Sequence, residues 1–275
     1  MQPATAPNSF APGTRGKFLA WTIPLSHFLL AAGFLAAFTA VTIKAEANWP
    51  VAVLLLLATA GTLFALTRQL PAQNVLLAAF VIAFIGSIAH GIGSKCGLPF
   101  GPFMFDPEAG LKLFGILPWA LPLLWVVAVL NSRGVARLIL RPWRKIRAYG
   151  FWLIGLTALL TMLFDCALEP FAAHAKHYWI WTAEGYLLIS QGAPTSNSVG
   201  WFVVTLLILA FVTPTMINKQ LSKRSAPDLY PLAVWLGAVL LFATGAAVHG
   251  FWLASTTDAI LSIGVAVFAI RGARW

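Results

Sequence analysis

Charged side chains are scarce in this chain. Of its 275 residues only 9% are charged, whereas 60% are hydrophobic and the mean hydropathy is +0.84. One soluble core cannot bury so much apolar surface, so the composition predicts an integral membrane protein. The net charge of +10 does not indicate nucleic-acid binding, because the 18 Lys and Arg residues are scattered between long apolar runs.

Residues that carry metal chemistry are equally few. Cys96 and Cys166 are too few for a disulfide framework or a thiolate metal site, and we interpret them as buried free thiols, with a single bridge as the alternative. Five histidines cannot supply the several histidine boxes of membrane di-iron hydroxylases and desaturases. His174 and His177 have a metal-ligand spacing but no partner box, so no metal site is predicted.

Other absences exclude further membrane enzymes and pumps. Residues 165–169, "DCALE", supply only half of the paired acidic motifs with which membrane prenyltransferases hold magnesium and diphosphate. Residues 225–270 contain no lysine, which excludes a retinal Schiff base there. The chain also has no glycine-rich dinucleotide fingerprint. Any chemistry is therefore predicted to need no cofactor.

Long apolar windows are what the sequence has in abundance. A bilayer core needs about 17 to 25 apolar residues per helix, and eight windows meet this length. They lie at approximately 18–43, 49–67, 74–93, 113–130, 150–169, 199–217, 231–252 and 255–270. The predicted fold is all-α, a polytopic bundle of about eight transmembrane helices. It forms a single domain over residues 18–275 behind a disordered tail, residues 1–17.

The basic residues divide unequally between the two sides of these spans. Fourteen lie on the side of both termini and of the loop 133–147, and four lie on the other side. The positive-inside rule places the termini and this loop in the cytoplasm, and we predict a bacterial or archaeal cytoplasmic membrane. Seven of the eight acids and four of the five histidines lie on or near the outer side. A polar site is therefore expected there.

Two long connections, residues 94–112 and 170–198, lie on the predicted outer side. Pro and Gly prevent a continuous helix in them, and they carry aromatic rings that are costly to leave in water: Phe103, Phe105, Tyr178, Trp179 and Trp181. We expect these loops to fold back as a lid, with Asp106 and Glu108 facing water. For any single ring, an interfacial aromatic belt is the alternative.

Asp165 and Glu169 lie near the outer end of the fifth window. They are four residues apart, which puts both on one face of a helix. Ionisable groups at such depth are expensive, and they mark a functional site or a buried pair. Two adjacent buried carboxyls can retain a proton, as a general acid must. The structural alternatives are that Asp165 hydrogen-bonds to a neighbouring helix and that His90, at the end of the third window, does the same.

Two stretches resemble a known family. They are "GLPFGPFMFDPEAGLKLFGILPWALPLLW", residues 97–125, and a region over 165–201 that contains "YWIW" and "GAPTSNSVGW". Both are similar to membrane-embedded carotenoid biosynthesis proteins of the carotenoid 1,2-hydratase type, the family of gamma-carotene 1'-hydroxylase and bisanhydrobacterioruberin hydratase. The resemblance spans roughly residues 90–205 and rests on Pro-Phe-Gly and Gly-x-Pro-x-x-Asn-x-x-Gly-Trp elements.

The resemblance implies hydration of the terminal double bond of an acyclic carotenoid end to a tertiary alcohol. Asp165 is then the expected proton donor, and Glu169 or His90 orients the water. Protonation leaves a carbocation, which each aromatic face can stabilise by about 0.5 to 2 kcal/mol. The residues expected to bind substrate are Phe100, Phe103, Phe105, Trp179, Trp181, Asn197 and Trp201.

Four positions depart from the family pattern. The family usually has glutamate at the place of His90, tyrosines near Phe103 and Phe105, and aspartate at the place of Glu169. The departure at His90 favours a second hypothesis, a non-catalytic carotenoid- or lipid-binding membrane subunit. Under both hypotheses the expected partners are the membrane and a carotenoid or another long isoprenoid lipid. A solute transporter is disfavoured, because most spans lack charges at their middles.

Overall fold

The protein is a bundle of long helices. The computed structural model describes residues 12–107, 110–182, 188–189, 193–217 and 227–275. The eight helices of this part of the chain are α1 Pro12–Thr42, α2 Trp49–Thr67, α3 Ala72–Cys96, α4 Leu121–Ile139, α5 Tyr149–Pro170, α6 Thr195–Val212, α7 Tyr230–Val248 and α8 Trp252–Ala273. All eight are long and apolar enough to cross a membrane, which confirms the predicted fold class. The predicted tail lies mostly outside the described residues, and α1 begins within its range.

Seven of the predicted windows match a helix within a few residues, and the fourth does not. The fourth window, 113–130, starts before the helix does, since α4 begins at Leu121. Pro122 lies in the first turn of α4, where a missing N–H costs nothing. The preceding residues form a hairpin of β2 (Lys112–Leu113) and β3 (Leu117–Pro118). At its other end α4 continues through Arg133, which is buried and donates to the backbone oxygen of Met216 at 3.3 Å.

Helix α4 is the central helix of the bundle and packs against α2, α3, α5, α7 and α8. Polar side chains fix it in place. The amide of Asn131 donates to the hydroxyl of Thr62 on α2 at 3.0 Å, and the indole of Trp235 on α7 donates to the hydroxyl of Ser132 at 3.2 Å. Hydrogen bonds of this kind hold membrane helices together where hydrophobicity alone cannot choose a partner.

The two long loops meet at one end of the bundle, which we call the loop end. Strand β1 (Phe103–Phe105) pairs antiparallel with β4 (Trp179–Trp181), so that Phe103 lies opposite Trp181 and Phe105 opposite Trp179. We call this strand pair the lid. A π-helical turn, Phe171–Ala175, extends α5 towards β4. A third strand pair joins β5 (Leu188–Ile189) to β6 (Ala193–Pro194) just before α6. Asp106 is half-buried, and Glu108 lies outside the described residues.

The two cysteines are free, so the alternative of a single bridge is wrong. Cys166 is half-buried in α5, whereas Cys96 is exposed at the end of α3, contrary to the expectation that both are buried. Cys96 can therefore report which side of the membrane the loop end faces.

We predict that a membrane-impermeant maleimide labels Cys96 in intact cells that express a Cys166→Ser variant, because positive-inside topology puts the loop end outside. The matched control is Arg144→Cys in a chain with Cys96→Ser and Cys166→Ser, since Arg144 is exposed in the connection between α4 and α5. This control is expected to react only after permeabilisation, and the reverse pattern would overturn the predicted orientation.

Candidate active site

A buried carboxyl pair lies at the loop end between α5 and α6. Asp165 is 0% exposed and Glu169 is 5% exposed, and both project from one face of α5 as their spacing predicts. The amide nitrogen of Asn197, in the first turn of α6, donates to Oδ2 of Asp165 at 2.8 Å and to Oε1 of Glu169 at 2.8 Å. One amide group therefore ties the two carboxyls together and joins α5 to α6.

The lid supplies the remaining donors to Glu169. Oε2 of Glu169 accepts from the indole nitrogens of Trp179 at 3.2 Å and of Trp181 at 2.9 Å. The two-residue repeat of a strand puts both indoles on the same face of β4, and Ile180 between them is exposed on the opposite face. The "YWIW" segment thus positions two tryptophans as hydrogen-bond donors to a buried acid.

Oδ1 of Asp165 is the remaining oxygen of the pair. It is buried and accepts no hydrogen bond from any residue in the described ranges. Asp165 and Glu169 both accept from the amide nitrogen of Asn197, so the two carboxyls lie close together. The ion pair found among the described residues, Arg68 with Asp228 at 2.8 Å, involves neither carboxyl. A pair buried without a cation is most cheaply accommodated when it holds a proton.

His90 lies in a separate aromatic cluster that we define by His90, Phe100, Phe103, Trp125 and Trp201. Nδ1 of His90 accepts from the indole nitrogen of Trp125 at 3.2 Å, and the ring lies 4.1 Å from that of Phe100 between centroids. Trp125 stacks on Trp201 with 3.9 Å between ring centroids. None of the side-chain hydrogen bonds in the described part of the chain joins His90 to the carboxyl pair. The structure therefore supports the interhelical role for His90.

The aromatic cluster is connected to the carboxyl pair through two of its members. The ring of Phe103 lies 5.4 Å from that of Trp181, which binds Glu169. Trp201 follows Asn197 by one helical turn on the same face of α6, and both side chains are buried. Of the predicted substrate residues, Trp179, Trp181 and Asn197 bond to the carboxyl pair, whereas only Phe105 and Trp179 line the apolar cavity described next.

An apolar cavity of about 420 Å³ adjoins the pair. Phe105 and Trp179 of the lid and Phe164 and Leu168 of α5 contribute to its wall, together with residues of α1, α2, α4 and α7. Asp165 and Glu169 follow Phe164 and Leu168 directly in sequence but do not line the cavity. The ring of Trp179 lies between, with its indole N–H on Glu169.

One polar ring also reaches the apolar cavity. Tyr178 contributes to its wall, and burial raises the pKa of the Tyr178 phenol. The hydroxyl of this ring therefore stays protonated at every physiological pH.

Comparison with known proteins places this site in a family. A sequence profile described as "Carotenoid biosynthesis protein" matches residues 50–266, a range that contains the carboxyl pair, the lid and most of the cavity wall. The chain belongs to this family. The resemblance inferred from the Pro-Phe-Gly and Asn-x-x-Gly-Trp elements is therefore confirmed.

One curated relative is bisanhydrobacterioruberin hydratase of Haloarcula japonica. It is 28% identical to this carotenoid biosynthesis protein over 183 residues, which cover 63% of this chain and 57% of the relative. The chain thus matches a little over half of the relative's length. No solved structure matches the chain.

The glycines of the two family elements are explained by close packing. Gly101 has a φ of +101°, and a Cβ there would lie 2.6 Å from Cγ of Pro194. A Cβ on Gly200 would lie 3.0 Å from the backbone oxygen of Pro99, which cannot retreat as a flexible side chain could. The two elements are therefore the two halves of one contact, and this contact fixes the first turn of α6, where Asn197 lies.

We predict that Gly200→Ala lowers the free energy of unfolding by about 1 to 3 kcal/mol, because the added methyl group overpacks this contact. Gly155→Ala on α5 is the matched control, since a Cβ there meets nothing within 4 Å. The control should be neutral or stabilising by about 0.5 to 1 kcal/mol. Unfolding of the purified protein in detergent measures both, and equal stability of Gly200→Ala and the parent would contradict the packing argument.

Proposed function

We propose that this carotenoid biosynthesis protein hydrates the terminal carbon–carbon double bond of an acyclic carotenoid end. The observation that carries the proposal is the buried carboxyl pair, which three side chains hold beside an apolar cavity. The name of the Haloarcula japonica relative, a hydratase, supports the same reaction class. Hydration needs an acid, a water molecule and a wall that tolerates a cation, and it needs no redox cofactor.

Asp165 is the proposed proton donor. Its Oδ1 is the oxygen of the pair that accepts no hydrogen bond from the described residues, so a proton there is not committed to a permanent partner. Glu169 is held by both indoles and by Asn197, which suits a group that stays in place and retains the negative charge. The two carboxyls thus have different surroundings, which separates the roles of acid and base.

The reaction balances with these groups alone. The proton of Asp165 adds to the terminal alkene, whose π electrons form the new C–H bond and leave a tertiary cation. The oxygen of water then forms the C–O bond, and the proton that it loses returns to the carboxyl pair. Trp179, Trp181 and Phe103 offer aromatic faces near the pair, each worth about 0.5 to 2 kcal/mol to a cation.

The cavity limits how the polyene can bind. Its volume of about 420 Å³ lies within the range of about 300 to 1,000 Å³ for small-ligand sites. It therefore suits the end of a long polyene, and the remaining length extends into the bilayer. Because the ring of Trp179 separates the cavity from Glu169, the proposed reaction requires this ring to turn aside. Trp181 and Asn197 would still hold Glu169 when it does.

A specific observation favours a second candidate, a carotenoid-binding subunit without catalysis. The carboxyls do not line the cavity, and His90 is packed among aromatic rings and makes no hydrogen bond to the carboxyl pair among the described residues. In this alternative the carboxyl pair has only a structural role, and its hydrogen bonds hold α5, α6 and the lid together. The cavity then binds a carotenoid that leaves chemically unchanged.

Coexpression with enzymes that make an acyclic or monocyclic carotene separates the two candidates. We expect a product heavier by one water, and we expect Asp165→Asn to lower its amount by about 100-fold or more, because general-acid catalysis contributes at least that factor. Asp228→Asn, which removes an acid of the distant ion pair, is the control and should leave the product unchanged. Pigment that copurifies unchanged from both variants and from the parent would favour the binding subunit.

The lid tryptophans provide a finer prediction. Trp181→Phe keeps an aromatic face but removes the 2.9 Å hydrogen bond to Glu169, and we expect the rate of hydration to fall by up to about tenfold. Ile180→Val is the control, because Ile180 is exposed on the opposite face of β4. Product formation by membranes, normalised to the amount of folded protein, measures both. An unchanged rate in Trp181→Phe would show that this indole has no role in positioning Glu169.

A further inference from the structure

A second cavity of about 640 Å³ lies at the loop end, and we call it the vestibule. In contrast to the apolar cavity, polar and charged side chains dominate its wall: Lys44, Glu46, Asp106, Lys176, His177 and His249. The ammonium group of Lys176 donates to the backbone oxygen of Ala45 at 2.9 Å, and burial lowers the pKa of Lys176. The vestibule is thus a polar compartment built from the connections α1–α2 and β1–β2 and from the segment after α5.

The vestibule and the apolar cavity share part of their walls. Asn48 and Phe171 belong to the lining of both. Phe171 is fully apolar, so Asn48 supplies the polar group at this boundary. Its backbone starts α2, and the backbone oxygen accepts from the N–H of Ala52 at 3.1 Å.

The side chain of Asn48 does not cap α2. Asparagine at an N-cap usually accepts a hydrogen bond from a backbone N–H of the first turn, but the Asn48 side chain makes no such bond. Its Oδ1 is buried and finds no partner within the described residues. A buried amide oxygen without a partner costs free energy, and a rotation of this side chain towards either cavity would let the amide bind water.

We propose that Asn48 passes water from the vestibule into the apolar cavity, so that the vestibule supplies the second substrate of the reaction. This inference rests on the proposed hydratase function. An apolar cavity holds water poorly, and a bilayer core offers none, whereas a hydratase must deliver a water molecule to its cation. The amide of Asn48 can accept from such a water and donate to it, as a leucine of similar size cannot.

The experiment compares proton addition with water capture. In membranes suspended in heavy water, reversible protonation of the polyene end leaves deuterium in the recovered carotene, whereas capture of water gives the alcohol. Mass spectrometry of both compounds therefore reports the two steps separately. Asp165→Asn provides the background for each.

We expect Asn48→Leu to lower the yield of alcohol by about tenfold while deuterium exchange into the carotene persists. Asn48→Ser, which keeps a hydrogen-bonding group, should retain most of the alcohol. Asp228→Asn is the control, because Asp228 pairs with Arg68 and lines neither the vestibule nor the apolar cavity. A ratio of alcohol to exchanged carotene that is the same in Asn48→Leu as in the parent would overturn the proposal, whether or not the amounts of both compounds fall. If the parent forms neither compound above background, the hydratase proposal itself fails.

Accessibility of residue 48 tests the route without catalysis. In a chain with Cys96→Ser and Cys166→Ser, a small charged methanethiosulfonate added to the medium should modify Asn48→Cys. Ala58→Cys, on the same helix but lining only the apolar cavity, should react far more slowly. Failure of Asn48→Cys to react in folded protein would overturn the route, even if Asn48→Leu had lost its activity through misfolding.

Discussion

The bridge from Asn197 to two buried carboxylates is the interaction on which the other features of the site depend. It joins Asp165 and Glu169 on α5 to the first turn of α6, and Glu169 in turn accepts from both tryptophans of β4. Two transmembrane helices and the lid therefore meet at three carboxyl oxygens: Oδ2 of Asp165 and both oxygens of Glu169. Of the eight acids in the sequence, these two are buried together, and neither forms an ion pair with another described residue, which makes the pair expensive to maintain.

The glycines of the two family elements act by packing, and the position of Asn197 depends on that packing. Gly101 and Gly200 allow two backbone segments to approach each other more closely than any side chain would permit, and Asn197 lies on the turn that results. A small displacement of Asn197 would be costly, because a buried carboxyl that loses its hydrogen-bond donor cannot bind water instead. The role of these two glycines is thus structural, although they lie beside the candidate site.

Periodicity and hydropathy predicted the helices and the common face of Asp165 and Glu169, because both follow from local sequence. The start of α4 was missed, since a window of apolar residues does not distinguish a hairpin ending at Pro118 from a helix beginning at Leu121. The hydrogen bonds from Trp179 and Trp181 to Glu169 could not be predicted from the sequence, because they depend on the pairing of β1 with β4 across about 75 residues of chain. The contributions of α2 and α7 to the cavity wall could not be predicted either. In a membrane helix, apolar side chains face lipid as well as a cavity, so the sequence does not distinguish the two.

The arrangement of compartments suits an acid that must act on an alkene before water arrives. On the proposed route the polyene end fills the apolar cavity, Trp179 separates this cavity from Glu169 of the carboxyl pair, and Asn48 lies where the cavity meets the polar vestibule. A water molecule that reached the carboxyl pair before the alkene would accept a hydrogen bond from its proton and compete with the alkene for that proton. On this proposed route, the proton and the water reach the polyene end from two different boundaries of the apolar cavity, and the proton adds first.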